Sequence, residues 1–124
     1  MLDTNIYDRV VDRRGFAERI NAAALAGAIE ILRTRVQEEE IARIPDAARR
    51  AAMRRIRSRI VPVSEAARAG AHPPSEDAQI AATAAALAEV LVTEDREMRE
   101  RAAAHPIEVW SFEELVAFVE SLPS

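Results

Sequence analysis

Four carboxylates carry most of the chemistry this sequence offers: Asp3 in Met1-Leu2-Asp3-Thr4-Asn5, Glu40 closing a run of three glutamates, Asp77 just after Ser75, and Asp95 ending Val92-Thr93-Glu94-Asp95. Brought together, such groups repel one another and raise one another's pKa, so a cluster of them is normally balanced by a divalent cation. Oxygen ligands with no His or Cys alongside select a hard ion, Mg²⁺ or Mn²⁺, over zinc. Such an ion lowers the pKa of a bound water and makes it a nucleophile. Taken singly, each acid has a plainer reading. Asp77 in the first turn of a helix contributes about 0.3 to 1 kcal/mol against the macrodipole. Asp95 suits an N-cap or a loop, and Asp3 with Asn5 suits a turn. Convergence is what separates the two readings.

The elements that would position these acids follow from periodicity. Met1 to Ile6 reads as a strand stub running into a polar loop through Asp12 and Arg14. Phe16 to Ala26 reads as a helix, with Gly27 where a C-cap glycine belongs. Ala28 to Thr34 alternates as a strand, and Gln37 to Ile44 follows as a helix. Pro45 and Asp46 interrupt it and cap a second helix, Ala47 to Ile60. Val61 to Pro74 reads as mostly loop. Ser75 caps an alanine-rich helix with the stripe Ile80, Ala84, Leu87. Strands at Val90–Thr93 and Ile107–Trp110 flank a helix from Arg96 to Ala104. Ser111 and Glu114 form a capping box for the last helix, Phe112 to Ser121. Strands separated by helices imply parallel pairing and a three-layer α/β/α sandwich around a central, mainly parallel sheet. In such a sheet the working surface lies beyond the carboxyl ends of the strands, where all four acids fall. Helix phase separates the three glutamates. With Gln37, Ile41, Ile44 and Ala48 facing the core, Glu39 points to solvent and Glu40 is nearer the core than Glu38. Glu38 and Glu39 read as a solvated face.

Composition narrows the field further. The 124 residues suit one domain, 1–124, and a chain 49% hydrophobic and 31% charged can bury a core. Cysteine is absent, which excludes thiolate zinc sites and cysteine nucleophiles. All 17 basic residues are arginine, which excludes the Walker lysine and Schiff-base chemistry. No apolar run is long enough to span a membrane and no secretory signal is evident, so a cytoplasmic protein with no membrane partner is expected. The net charge of −4 is unevenly spread: residues 43–68 hold eight arginines and two acids, while 75–124 hold eleven acids and three arginines.

Leu2-Asp3-Thr4-Asn5-Ile6, Val36-Gln37-xx-Glu40-Ile41-xx-Ile44-Pro45-Asp46, Asp77-Ala-Gln-Ile-Ala-Ala-Thr83 and Leu91-Val92-Thr93-Glu94-Asp95 occur in the order seen in PIN domains, and the chain resembles them over nearly its whole length. Its size is similar to that of the VapC-type toxins of toxin–antitoxin pairs. That resemblance implies a Mg²⁺- or Mn²⁺-dependent endoribonuclease acting on single-stranded RNA, with Asp3, Glu40, Asp77 and Asp95 as metal-holding catalytic acids. It implies products with a 5′-phosphate and a 3′-hydroxyl. Asn5 and Thr93 match polar positions beside those acids and are expected to orient carboxylates or metal-bound water. Expected partners are RNA and a cognate antitoxin protein, with a homodimer as a further expectation. Two departures stand out: only Met1 and Leu2 precede Asp3, and Glu94 replaces a small or amide residue. Glu94 either adds a fifth acid or faces solvent, and solvent is the simpler reading.

The alternative is a PIN-like interaction module that keeps the fold while catalytically silent. A haloacid-dehalogenase phosphatase is disfavoured, because Asp3-Thr4-Asn5 lacks the second acid of its DxD and the chain has no lysine. Arg50 and Arg54, with Arg49 and Arg57, could track RNA phosphates; a solvated helix is the simpler reading for most of them, and an antitoxin contact is a further one. Tyr7 is a candidate for base stacking, with packing as the plainer role, and Trp110 reads as packing. His72 and His105 lack a spaced partner for metal or triad chemistry.

Overall fold

Seven helices and four three-residue strands make up a mixed α/β structure in the computed structural model, which describes residues 1–62 and 75–123. Residues 1–3 form no strand of their own. Leu2 makes an isolated parallel bridge to Val92; the Met1 nitrogen donates to Val90 O at 2.7 Å, Val92 N to Met1 O at 2.9 Å, and Asp3 N to Val92 O at 2.9 Å. The first helix, α1 (Thr4–Asp12), begins directly after Asp3, where a strand stub to Ile6 and then a loop were expected. Its signal is the i, i+1, i+4 spacing of Ile6, Tyr7 and Val10, all buried on one face and masked in the sequence by the charged residues between them.

Gly15, at φ 77°, turns the chain into α2 (Phe16–Leu25). Gly27, at φ 79°, then ends it: Gly27 N–H bonds to Ala24 O and Ala28 N–H to Ala23 O, a Schellman motif that satisfies the last carbonyls. Because that turn consumes Ala28, the expected strand 28–34 contracts to β1 (Leu32–Thr34). Thr34 and Gln37 form a capping box for α3 (Arg35–Ala42), which starts two residues earlier than periodicity implied. Asp46 accepts from Ala48 N–H and Arg49 N–H at 3.0 and 3.1 Å and caps α4 (Ala47–Arg54).

Helix α4 ends six residues before the expected Ile60. The buried Arg33 guanidinium donates to the carbonyls of Met53 and Ile56, satisfying the helix C-terminus from outside, and the chain turns into β2 (Arg59–Val61). β2 thus takes the first residue of the stretch expected to be loop; residues 63–74 of that stretch lie outside the described residues. The second half follows the sequence reading closely: α5 (Glu76–Leu87) capped by Ser75, β3 (Val90–Val92), α6 (Arg96–Ala102) capped by Asp95, β4 (Glu108–Trp110), and α7 (Phe112–Ser121) with its Ser111–Glu114 capping box.

The strands pair in two separate parallel ladders, β1 with β2 (Leu32 opposite Arg59) and β3 with β4 (Val90 opposite Glu108). The parallel pairing expected from the helical crossovers is therefore present, while among the described residues the four strands do not join into one continuous sheet. Consecutive residues of the extended segments enter different apolar clusters, as the two-residue period of extended chain requires. Leu2, Ile31 and Val92 join Ile6, Tyr7, Ile20, Met53 and Val116 from α1, α2, α4 and α7. Met1, Leu32 and Leu91 join Ile80, Ala84 and Met98 from α5 and α6. No helix among the described residues is long and apolar enough to cross a membrane.

Candidate functional site

Asp3 sits where the N-terminal segment meets α1 and is only 5% exposed. Its Oδ2 accepts from Thr93 Oγ1 at 2.8 Å, and Thr93 Oγ1 in turn accepts from Asp95 N–H at 3.0 Å. The fully buried Thr93 hydroxyl thus joins the first acid to the backbone of the last. Burial pushes the Asp3 carboxyl up from the usual carboxylate range, hydrogen bonds from Thr93 and the Thr4 backbone oppose this, and the charges of Asp77 and Asp95 push it further up.

Glu40 lies at the far end of α3 and is half-buried. Its Oε1 accepts from Thr4 Oγ1 at 2.9 Å. Burial raises its pKa, the Thr4 hydroxyl opposes the rise, and the neighbouring charges of Glu76, Asp3 and Asp77 add to it. One turn earlier on the same helix, Gln37 is fully buried. Its Oε1 accepts from Thr34 N–H at 3.0 Å and its Nε2 donates to Leu2 O.

Asp77 is partly buried in the first turn of α5, close enough to raise both Asp3 and Glu40 electrostatically. Asp95 does act as an N-cap: its Oδ1 accepts from Glu97 N–H at 2.8 Å and Met98 N–H at 3.4 Å. The fold therefore brings the four expected acids from four separate segments within electrostatic reach. Among the described residues, however, no three Asp, Glu or His side chains are gathered closely enough to hold one metal ion. The donor set suits Mg²⁺ or Mn²⁺ in kind, being all oxygen; its spacing here is wider than a coordination shell.

Several side chains differ from their expected places. Asn5 is exposed on α1 and its side chain bonds to no other described residue, whereas Thr93 contacts Asp3 as expected. Glu38 is not part of a solvated face: it pairs with the buried Arg33 and, at 3.8 Å, with Arg54. Glu39 is exposed. Glu94 stays outside the group of acids and is exposed, in line with its simpler reading, and its Oε1 accepts from Phe112 N–H at 2.7 Å at the start of α7. Tyr7 is fully buried, its ring 4.9 Å from the Arg33 guanidinium carbon, so it offers no face to a base. Trp110 packs against Phe118 with ring centroids 5.1 Å apart. His105 is half-buried, and His72 lies outside the described residues.

Much of the arginine-rich stretch binds its own chain. Arg50 donates to Ile44 O, Arg49 pairs with Asp8 and Asp12 at 2.8 and 2.7 Å, Arg43 pairs with Glu76 at 3.2 Å, and Arg59 pairs with Glu30 at 2.7 Å. Arg54 keeps a 47% exposed side chain.

Thr4, Gln37 and Glu76 are the site residues that sequence reasoning passed over. The Thr34-x-x-Gln37 box was a legible signal; Thr4 carried none beyond its place beside Asp3. A cavity of about 1060 Å³ opens at the opposite, amino-terminal ends of the strands, lined by Met1, Ile31, Leu87, Val90 and Trp110 among others and by none of the four acids. No family model, no curated protein and no solved structure matches the chain.

Proposed function

We propose that the chain is a PIN-like, metal-dependent endoribonuclease of the VapC toxin type, with Asp3, Glu40, Asp77 and Asp95 as its catalytic acids. The observation that carries this reading is electrostatic. Asp3 is buried at the end of the N-terminal segment and feels Asp77 and Asp95, while Glu40 feels Asp3 and Asp77, so carboxylates from four separate elements share one region. Such a group is costly to keep charged without a cation to offset the repulsion. When bound by these acids, Mg²⁺ or Mn²⁺ would supply positive charge and an activated water for phosphodiester hydrolysis. The chain's own contribution is to fix the carboxylates: the Thr93 hydroxyl holds Asp3, the Thr4 hydroxyl holds Glu40, and the N-cap bonds of Asp95 fix its side chain.

The same reading takes the two parallel ladders as parts of one three-layer sandwich joined through residues 1–3. It is supported by the Leu2–Val92 bridge and by the alternation of Met1 and Leu2, Ile31 and Leu32, and Leu91 and Val92 between two apolar clusters. A cytoplasmic setting, a cognate antitoxin and a homodimer belong to this proposal as well. The test is cleavage of single-stranded RNA in Mn²⁺. Wild-type protein should cut, a chelator should stop it, and Asp3→Asn and Asp95→Asn should each slow cutting by about a hundredfold or more. Undiminished cleavage by both variants would reject the assignment.

A second reading, a PIN-like interaction module without catalysis, is favoured by the spacing of the acids, no three of which are gathered around one point among the described residues. Titration of Mn²⁺ into the wild-type protein separates the two. Saturable binding that Asp77→Asn weakens supports the nuclease, and no binding supports the silent module.

A further inference from the structure

We infer that Gln37 and Thr4 are positioning residues that lock the helix carrying Glu40 to the segment carrying Asp3. The inference rests on the reading of those two acids as parts of one site. Gln37 is 0% exposed and uses both ends of its amide: Oε1 accepts from Thr34 N–H, and Nε2 donates to Leu2 O. Those partners fix the amide orientation, because one is a donor and the other an acceptor. Glu40 lies three residues on, on the same face of α3. From the other side, Thr4 Oγ1 donates to Glu40 Oε1. One bond thus runs from α3 to the residue before Asp3 and the other from the residue after Asp3 back to α3. Sliding or rolling the helix breaks both.

Helix capping alone does not account for Gln37. The same chain has a second capping box, at Ser111 and Glu114, where an exposed glutamate accepts from the N-cap backbone just as well. What glutamine adds at 37 is an uncharged N–H donor. Glutamate in its place would lose the donor to Leu2 O and set a buried negative charge against that carbonyl. Asparagine would be one methylene short of Leu2.

The experiment uses Thr4→Val, Thr4→Ser, Gln37→Met and the Thr4→Val/Gln37→Met double variant, each checked for folding by circular dichroism. Mn²⁺ titration should show binding weakened about tenfold in Thr4→Val and Gln37→Met, with Thr4→Ser restoring it to within about twofold of wild type. RNA cleavage should lose kcat while KM for RNA holds. In urea unfolding of the metal-free protein, the double variant should be destabilised by less than the two single changes combined, because either one frees the same helix. Folded Thr4→Val with wild-type Mn²⁺ affinity would overturn the inference, as would strictly additive unfolding. If wild type neither binds Mn²⁺ nor cuts RNA, the nuclease reading fails by itself, and the unfolding cycle still decides whether the lock exists.

Discussion

Asp3 and Glu40 are carboxyls that the fold makes reluctant to ionise, and this reluctance has a direction in pH. Burial raises the pKa of both above their unfolded values. Below the unfolded values both states are protonated and nothing is lost; as pH rises through the raised folded values, the cost of charging them in the fold comes fully into play. The metal-free protein should therefore be relieved by Asp3→Asn at neutral pH, with a higher urea midpoint than wild type. That advantage should vanish once the pH falls below about 4, where the unfolded carboxyls protonate. An advantage that persists in acid would show that the buried charge is not its cause. Glu40 and Glu39 divide by the same kind of local fact. Glu40→Gln should reduce RNA cleavage by about a hundredfold, since its carboxylate is half-buried and held by Thr4, while exposed Glu39→Gln should leave the rate unchanged. A dead Glu39→Gln variant would mean the helix phase is wrong.

At the scale of elements, the helix starts marked by a capping side chain were legible, and the end of α4 was not. Asp46, Ser75 and Ser111 cap the helices they were expected to cap, because an N-cap is a contact between a side chain and backbone two or three residues away. The end of α4 is set instead by Arg33, twenty residues distant, which no local pattern announces. Arg33 is 4% exposed and also reaches Tyr7, Ser58 and Glu38. Arg33→Met should therefore cost about 3 kcal/mol, leaving two helix-end carbonyls and a carboxylate without their partner. A loss under about 1 kcal/mol in urea unfolding would show that these groups are satisfied without Arg33. Gly27 offers a cleaner case. A Cβ there would meet no heavy atom within 4 Å, so Gly27→Ala should cost only the strain of a left-handed backbone, about 1 kcal/mol. A neutral result would argue against the Schellman turn that ends α2.

Across the whole molecule, much of the +6 excess of the 43–68 stretch is spent inside the chain, on Ile44 O, Glu76, Glu30, Asp8 and Asp12, while Arg54 meets Glu38 only at 3.8 Å and keeps a 47% exposed side chain. Arg50 and Arg54 should therefore separate in experiment. Arg54→Ala should reduce the salt slope of RNA binding by roughly 0.7, one phosphate contact on a single strand, whereas Arg50→Ala should lower stability and leave the slope alone. An unchanged slope in Arg54→Ala would remove it from the RNA surface. By itself the sequence determined the mixed α/β character, the parallel pairing, nearly every element after Ser75 and the identity of four acids that the fold brings near one another. All of these follow from local periodicity, from capping chemistry, or from the rule that strand ends share one side of a parallel sheet. Only the tertiary structure decided that Asp3 opens a helix, that Glu38 pairs with Arg33 instead of facing water, that the strands form two ladders, and that Gln37 and Thr4 tie Glu40 to Asp3. Each of these depends on contacts between residues more than a helical turn apart in the chain, and such contacts leave no period to read.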